Sequence, residues 1–165
     1  MALSLITDRS LSDVAYYKRQ FAKIIGAGWD SLTSAEKTEW LAANLKGGYW
    51  HTDLNRVGTA VAYVRDRLTA AGISVSVKPK TDWQTGDVPT VTQMIQYTAD
   101  VAAIRAALAV YASTPAAPPD MDGLTAAEAN SIEQILADVD DLITKMMAAY
   151  RHSGMMYAGQ GGIRL

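Results

Sequence analysis

Cysteine is absent from the 165 residues. That removes disulfides, thiolate metal ligands and cysteine nucleophiles together, and leaves the redox compartment open. Charge of one sign is also missing. Lys and Arg number 15 against 17 Asp and Glu, a net charge of -2, with no block of like charges. Nucleic-acid binding needs a basic face, so none is expected. Long hydrophobic runs are lacking as well. The most apolar helical stretch, Val101 to Tyr111, is interrupted by Arg105 and stopped by Pro115, which excludes a membrane span. The N-terminal MALSLITDRS has no basic region and reads as no signal peptide. Serine-nucleophile motifs and phosphate-binding glycine loops are missing too; GQGG near the C-terminus has no following helix.

What is present is a strong helical rhythm. Half of the residues are hydrophobic and a fifth are charged, as in a single globular domain long enough to bury a core. Leu54, Val57, Val61, Val64 and Leu68 recur at three- and four-residue steps. Met94, Tyr97, Val101, Ile104, Leu108 and Tyr111 make a second stripe, and Ile132, Ile135, Val139, Leu142, Met146 and Ala149 a third. Such seams pack lengthwise against one another. The fold class that follows is mainly α: a bundle of about five helices in one domain spanning residues 1–165.

The helices are expected from Ser10 to Ile25, Thr33 to Leu45, Thr52 to Ala71, Thr90 to Ala112 and Thr125 to Arg151. Thr33 with Glu36, Thr90 with Gln93 and Thr125 with Glu128 have capping-box spacing. Trp40 and Leu41 are expected to be buried. Gly58, inside the third helix, costs roughly 1 kcal/mol against alanine and suggests close approach by a neighbouring helix. Ile73, Val75 and Val77 alternate with Ser74, Ser76 and Lys78, the one β-strand signal. Its partner would be residues 3–6, residues 156–165 or a neighbouring subunit. Residues 113–122, STPAAPPDMD, form a proline-rich connector expected to lie extended on the surface. Residues 153–165 form a glycine-rich tail, frayed or ordered against a partner. No internal repeat is visible.

The chemical candidates reduce to structural roles. His51 and Asp53 lack further ligands at metal spacing, and Thr52 or Asp53 suits a helix cap. Asp138, Asp140 and Asp141 lie on a straight helix that gathers no cation, with Lys145 placed to pair with Asp141. Glu36, Glu39, Glu128 and Glu133 could be imagined as a glycosidase pair, but two of them are explained as caps. No catalytic residue, cofactor or metal is therefore assigned. Trp29, Trp40, Trp50 and Trp83 lie near loop–helix junctions, and Tyr49 and Tyr157 beside glycines. Tyr49, Trp50, Trp83 and Tyr157 are the candidate interface residues, because aromatics in loops serve either satellite packing or protein contacts.

The series LITDR, GWDSLT, EWLAANLKGGY, TDLNRVGTAV, PKTDW, DVPT, PPDMD and YAGQ, from Leu5 to Gly159, resembles a helical module of tail-associated minor structural proteins in tailed phages and prophages of Gram-positive gut bacteria. The most specific part is Lys46-Gly47-Gly48-Tyr49 followed by Thr52-Asp53-Leu54-Asn55-Arg56-Val57. The family pattern has Gly-Ala-Tyr-Asn before that Thr-Asp, where this chain has Gly48 and Trp50-His51. The resemblance brings no catalytic residues. It implies a non-enzymatic virion component made in the host cytoplasm, in the tail, baseplate or fibre attachment. Its partners would be other virion proteins and copies of itself. A head or neck component, a small phage-associated cell-wall hydrolase and a host-encoded binding module are the alternatives.

Overall fold

The computed structural model describes residues 3–154, with side chains through Tyr150. Five α-helices form: α1 (Leu11–Ala27), α2 (Ser34–Leu41), α3 (His51–Ala70), α4 (Val91–Ala106) and α5 (Ala126–Gly154), with a 3-10 turn at Trp29–Ser31. All three expected capping boxes are present. The N–H groups of Glu36, Gln93 and Glu128 donate to the hydroxyls of Thr33, Thr90 and Thr125 at 3.2–3.3 Å, and each N3 side chain accepts from the cap residue's N–H at 2.8–2.9 Å. α1 adds a fourth from Ser10 and Asp13.

The core is the bundle α3–α4–α5. Leu54, Val57, Val61, Val64, Val101, Ile104, Ile135 and Val139 are buried together. Leu108 and Leu142 are only half-buried. On α5 the buried seam turns to Ile132, Leu136, Val139 and Ile143. A helix covered on two sides needs a broader apolar face than a single three–four stripe.

The three helices run parallel, as their contacts show. Arg56 of α3 meets Glu133 of α5, and eleven residues later Arg67 meets Asp140. The chain must therefore return between helices, and it does so as extended straps that run antiparallel to them. Residues 3–9 lie between α3 and α5, with Leu3 and Leu5 against the core. Residues 73–83 lie between α3 and α4, and residues 110–121 between α4 and α5.

The expected β-strand at Ile73–Val77 is not one. Residues 73–78 alternate half-buried and exposed, as the pattern implied, but the described residues contain no strand. The segment presses its apolar side onto helices, and helix side chains serve its ends. The Asp100 carboxylate accepts from the Lys78 N–H at 3.0 Å, and Asn55 pairs with both the N–H and the C=O of Trp83 at 2.8 Å. Alternation reports an extended chain with one buried side, and a groove between helices provides that as well as a sheet does. Of the expected partners, residues 3–6 lie in a different groove, and residues 156–165 fall outside the described residues. Gly58 is where the strap comes nearest. A Cβ there would stand 2.2 Å from the Lys80 carbonyl oxygen, so the close approach comes from the strap, not from a helix.

Boundaries shift for local reasons. α2 stops at Leu41 rather than Leu45, because Ala43 turns to φ 46° and tucks itself and Leu45 inward. Leu41, expected inside, is 79 % exposed, and Trp40 is half-buried. α4 stops at Ala106 rather than Ala112, since Arg105 grips the carbonyls of Pro115 and Thr114. That grip draws the proline-rich connector into the α4–α5 groove. Thr114 and Pro118 are buried there, so the segment is extended but not superficial.

Candidate functional site

Because the helices are parallel, α3, α4 and α5 begin at one end of the bundle. The turn 46–50 and the first strap meet there. Asp53, at the third position of α3, accepts the Trp50 N–H at 2.7 Å and so opens the helix in place of a hydroxyl cap. Its other oxygen faces inward to Arg56 and to Arg9, the latter at 2.9 Å. Glu133 of α5, with no exposed side-chain surface, pairs with Arg9 and Arg56 at 2.8 Å each and takes the Ile6 N–H at 2.6 Å. Two guanidiniums and two carboxylates thus cancel inside the protein. Burial alone would lower the Arg56 pKa, but the hydrogen bonds and charges of Glu133 and Asp53 outweigh it and raise it. Asn130 pairs with both the N–H and the C=O of Arg9 at 2.9 Å. This is the same two-point grip on a strap that Asn55 makes with Trp83.

Tyr49 closes the site. The Arg9 guanidinium lies 5.4 Å from its ring centre, and its hydroxyl is 2.6 Å from that of Tyr97. Burial pushes both phenols well above their ordinary range, so neither supplies a phenolate near neutral pH. A cleft of about 360 Å³ opens beside them, between α1, the 46–49 turn and the start of α5; Lys18, Lys46, Tyr17 and Leu124 are among its walls. Gly47 is required here, since a Cβ would stand 2.1 Å from the Asp13 carbonyl oxygen of α1.

Trp50 faces the other way, into the α1–α2 lobe. Its ring meets Trp40 and Tyr17 edge-on at 5.1 and 5.9 Å, and its N–H donates to the Leu45 carbonyl at 3.0 Å. It joins lobe to bundle. Trp83 is 3 % exposed and belongs to the core, with the Lys80 ammonium 4.8 Å from its ring centre. Tyr157 lies outside the described residues. The structure therefore brings Tyr49 and Trp50 together around the turn, back to back, and keeps Trp83 apart.

The four glutamates occupy separate places. Glu36 and Glu128 cap helices, Glu39 accepts from Tyr16 and Gln20, and Glu133 is in the buried network. Among the described residues, the hydrogen-bond partner of the His51 ring is the Thr85 hydroxyl, at 3.5 Å. Asp140 pairs with Arg67 and Asp141 with Lys145, while Asp138 accepts from Thr114 and Gln134. Among the described residues no three His, Asp or Glu side chains gather as a metal site, and no helix is long and apolar enough to cross a membrane. What this arrangement does chemically is hold: it fixes the first strap, the turn and two helices at one point. Arg9 and Glu133 were not singled out for this from sequence. The available signal was a glutamate between Ala129 and Leu136 on the inner face of α5, which needs an arginine partner.

Compared with known proteins, the chain matches no protein-family model, no curated protein and no solved structure.

Proposed function

We propose that this chain is a non-enzymatic structural protein of a phage virion, in the tail, baseplate or fibre attachment, acting through assembly contacts. The observation that carries the assembly reading is the open side of the α1–α2 lobe. α1 is amphipathic, yet Gln20 is its one buried residue. Phe21 is 47 % exposed, Ile25 72 % and Leu41 79 %, around a stack in which Tyr17, Phe21 and Trp40 lie 5.4–6.4 Å apart. A small protein seldom leaves a ring stack and its aliphatic border open unless something covers them. The virion setting comes from the resemblance around Gly47–Val57, and the turn that carries it is the joint on which the lobe is mounted.

The test is to purify particles from a lysogen carrying the gene and look for the chain by mass spectrometry and immunogold labelling. Labelling at the tail is the expected result. Absence from particles, or a lytic band for the purified protein in a peptidoglycan gel, would overturn the reading.

A further inference from the structure

Among the described residues the buried carboxylates are Asp53, Glu133 and Asp100. Asp53 and Glu133 pair with arginines. Asp100, on α4 and 3 % exposed, has no Lys or Arg partner among the described residues. Its Oδ1 accepts from the Lys78 N–H at 3.0 Å and from the Gln96 amide at 2.7 Å, and its Oδ2 accepts from no group among them. Buried charges are normally paired. This one borders a cavity of about 80 Å³ between α3, α4 and the 73–83 strap, which Val61, Pro79, Lys80, Trp83 and Tyr97 also line. Trp83 brings the opposite need. Its indole N–H is buried and has no acceptor among the described residues. The Lys80 ammonium, paired with Asp82, lies 4.8 Å from the centre of its ring. The α4 wall of the cavity thus carries an unused acceptor with a negative charge, and the strap wall an unused donor beside a positive one.

We infer that this cavity binds a small zwitterion of the α-amino acid class, its ammonium on Asp100 Oδ2 and its carboxylate toward the Trp83 N–H and the Lys80 ammonium. The site stands apart from the assembly reading and does not depend on it. Charge selects the ligand. A lone cation satisfies Asp100 but meets Lys78 and Lys80, which border the same cavity. A lone anion satisfies the donors but meets Asp100. A zwitterion matches both walls. Among the described residues no second His, Asp or Glu lines the cavity to hold a metal ion with Asp100. The volume takes roughly two or three waters at about 30 Å³ each, so the enclosed part of the ligand is no larger than glycine. Water fills the same space but leaves the Asp100 charge without a counterion. Val61 and Pro79 make the walls partly apolar, and charges interact more strongly there than in bulk water.

Nuclear magnetic resonance titration of the full chain with glycine reads both walls. The Trp83 indole N–H and the Lys78 amide, which donates to Asp100, should shift together and saturate in the millimolar range. The indole of Trp29, away from the cavity, should stay in place. At equal ionic strength, methylammonium chloride and sodium acetate each supply one end of the ligand and should bind at least about tenfold more weakly. Asp100→Asn keeps an oxygen for the Lys78 N–H and removes the charge, so the Kd for glycine should rise by about tenfold or more. Lys80→Met, on the partly exposed strap, tests the carboxylate end and should weaken glycine binding several-fold; it decides the matter if Asp100→Asn does not fold. No saturable shift with glycine would mean that water alone fills the cavity and would overturn the inference. Methylammonium or acetate binding as tightly as glycine would do the same, as would unchanged glycine binding in either folded variant.

Discussion

Replacing Glu133 by Gln tests whether the buried network holds the fold together. The change preserves shape and removes one charge. Glu133 is fully enclosed and takes three donors: the Ile6 N–H at 2.6 Å, Arg9 at 2.8 Å, and Arg56 at 2.8 and 3.0 Å. Glutamine offers one acceptor oxygen in place of two and turns an NH₂ group toward cations, leaving two guanidiniums to share Asp53. Breaking a buried ion pair by removing one partner costs about 3–5 kcal/mol, a large part of the roughly 5–15 kcal/mol that holds a domain together. With a urea slope of about 2 kcal/mol per molar, the unfolding midpoint should fall by about 2 M. The double variant Arg9→Met with Glu133→Leu leaves Asp53 paired with Arg56 and should recover much of the loss. A midpoint shift under about 0.5 M for Glu133→Gln at an unchanged slope would refute the reasoning.

Further outcomes follow from other positions. Ile135→Ala, at a fully buried site, should cost about 2–5 kcal/mol in urea melts, and Leu108→Ala, half-buried just beyond α4, distinctly less; equal losses would mean that Leu108 packs more deeply than its exposure indicates. Gly58→Ala should destabilise even though alanine gains roughly 1 kcal/mol in helix propensity, because the new methyl meets the Lys80 carbonyl; a raised melting temperature would show that the strap yields freely. The hydrogen bond from Lys23 to Glu36, aided by the Thr33 N–H, holds that carboxyl at about 2 against its ordinary 4.5. A lowered acid contributes stability above its unfolded value and loses it as pH falls through its folded one. The Glu36 contribution should therefore be complete above about 4.5 and disappear as pH falls toward 2. A Glu36 carbon resonance titrating near 4.5 by NMR would contradict that.

The sequence announced its helices through features that act within a turn or two. Capping boxes and three–four stripes are local, so Thr33, Thr90 and Thr125 could be placed before any fold was known. Strap placement depends on distant partners. Nothing near Ile73 says that its backbone will meet helix side chains rather than a strand, and nothing near Asn55 or Asn130 says that each will grip a remote backbone at two points. At the candidate site the turn was conspicuous, but the aromatic types alone could not distinguish Tyr49 and Trp50, which join parts of the molecule, from Trp83, which is core. Arg9 and Glu133 are 124 residues apart, and the first strap lying along α5 brings them together.

The parallel arrangement of α3, α4 and α5 also sets how the chain must fold. Antiparallel helices joined by a tight turn can zip from the turn outward. Here no two core helices are joined that way. Tyr49 reaches Tyr97 across 48 residues, and Arg56 reaches Glu133 across 77. Each pairing closes a long loop before any contact rewards it. Single helices can form in about a microsecond, but the bundle must wait for two long return straps. This mainly helical protein should refold in stopped-flow mixing at rates nearer those of mixed α/β domains than those of up-and-down bundles of its length, with the fixing of the 73–83 strap as a late step.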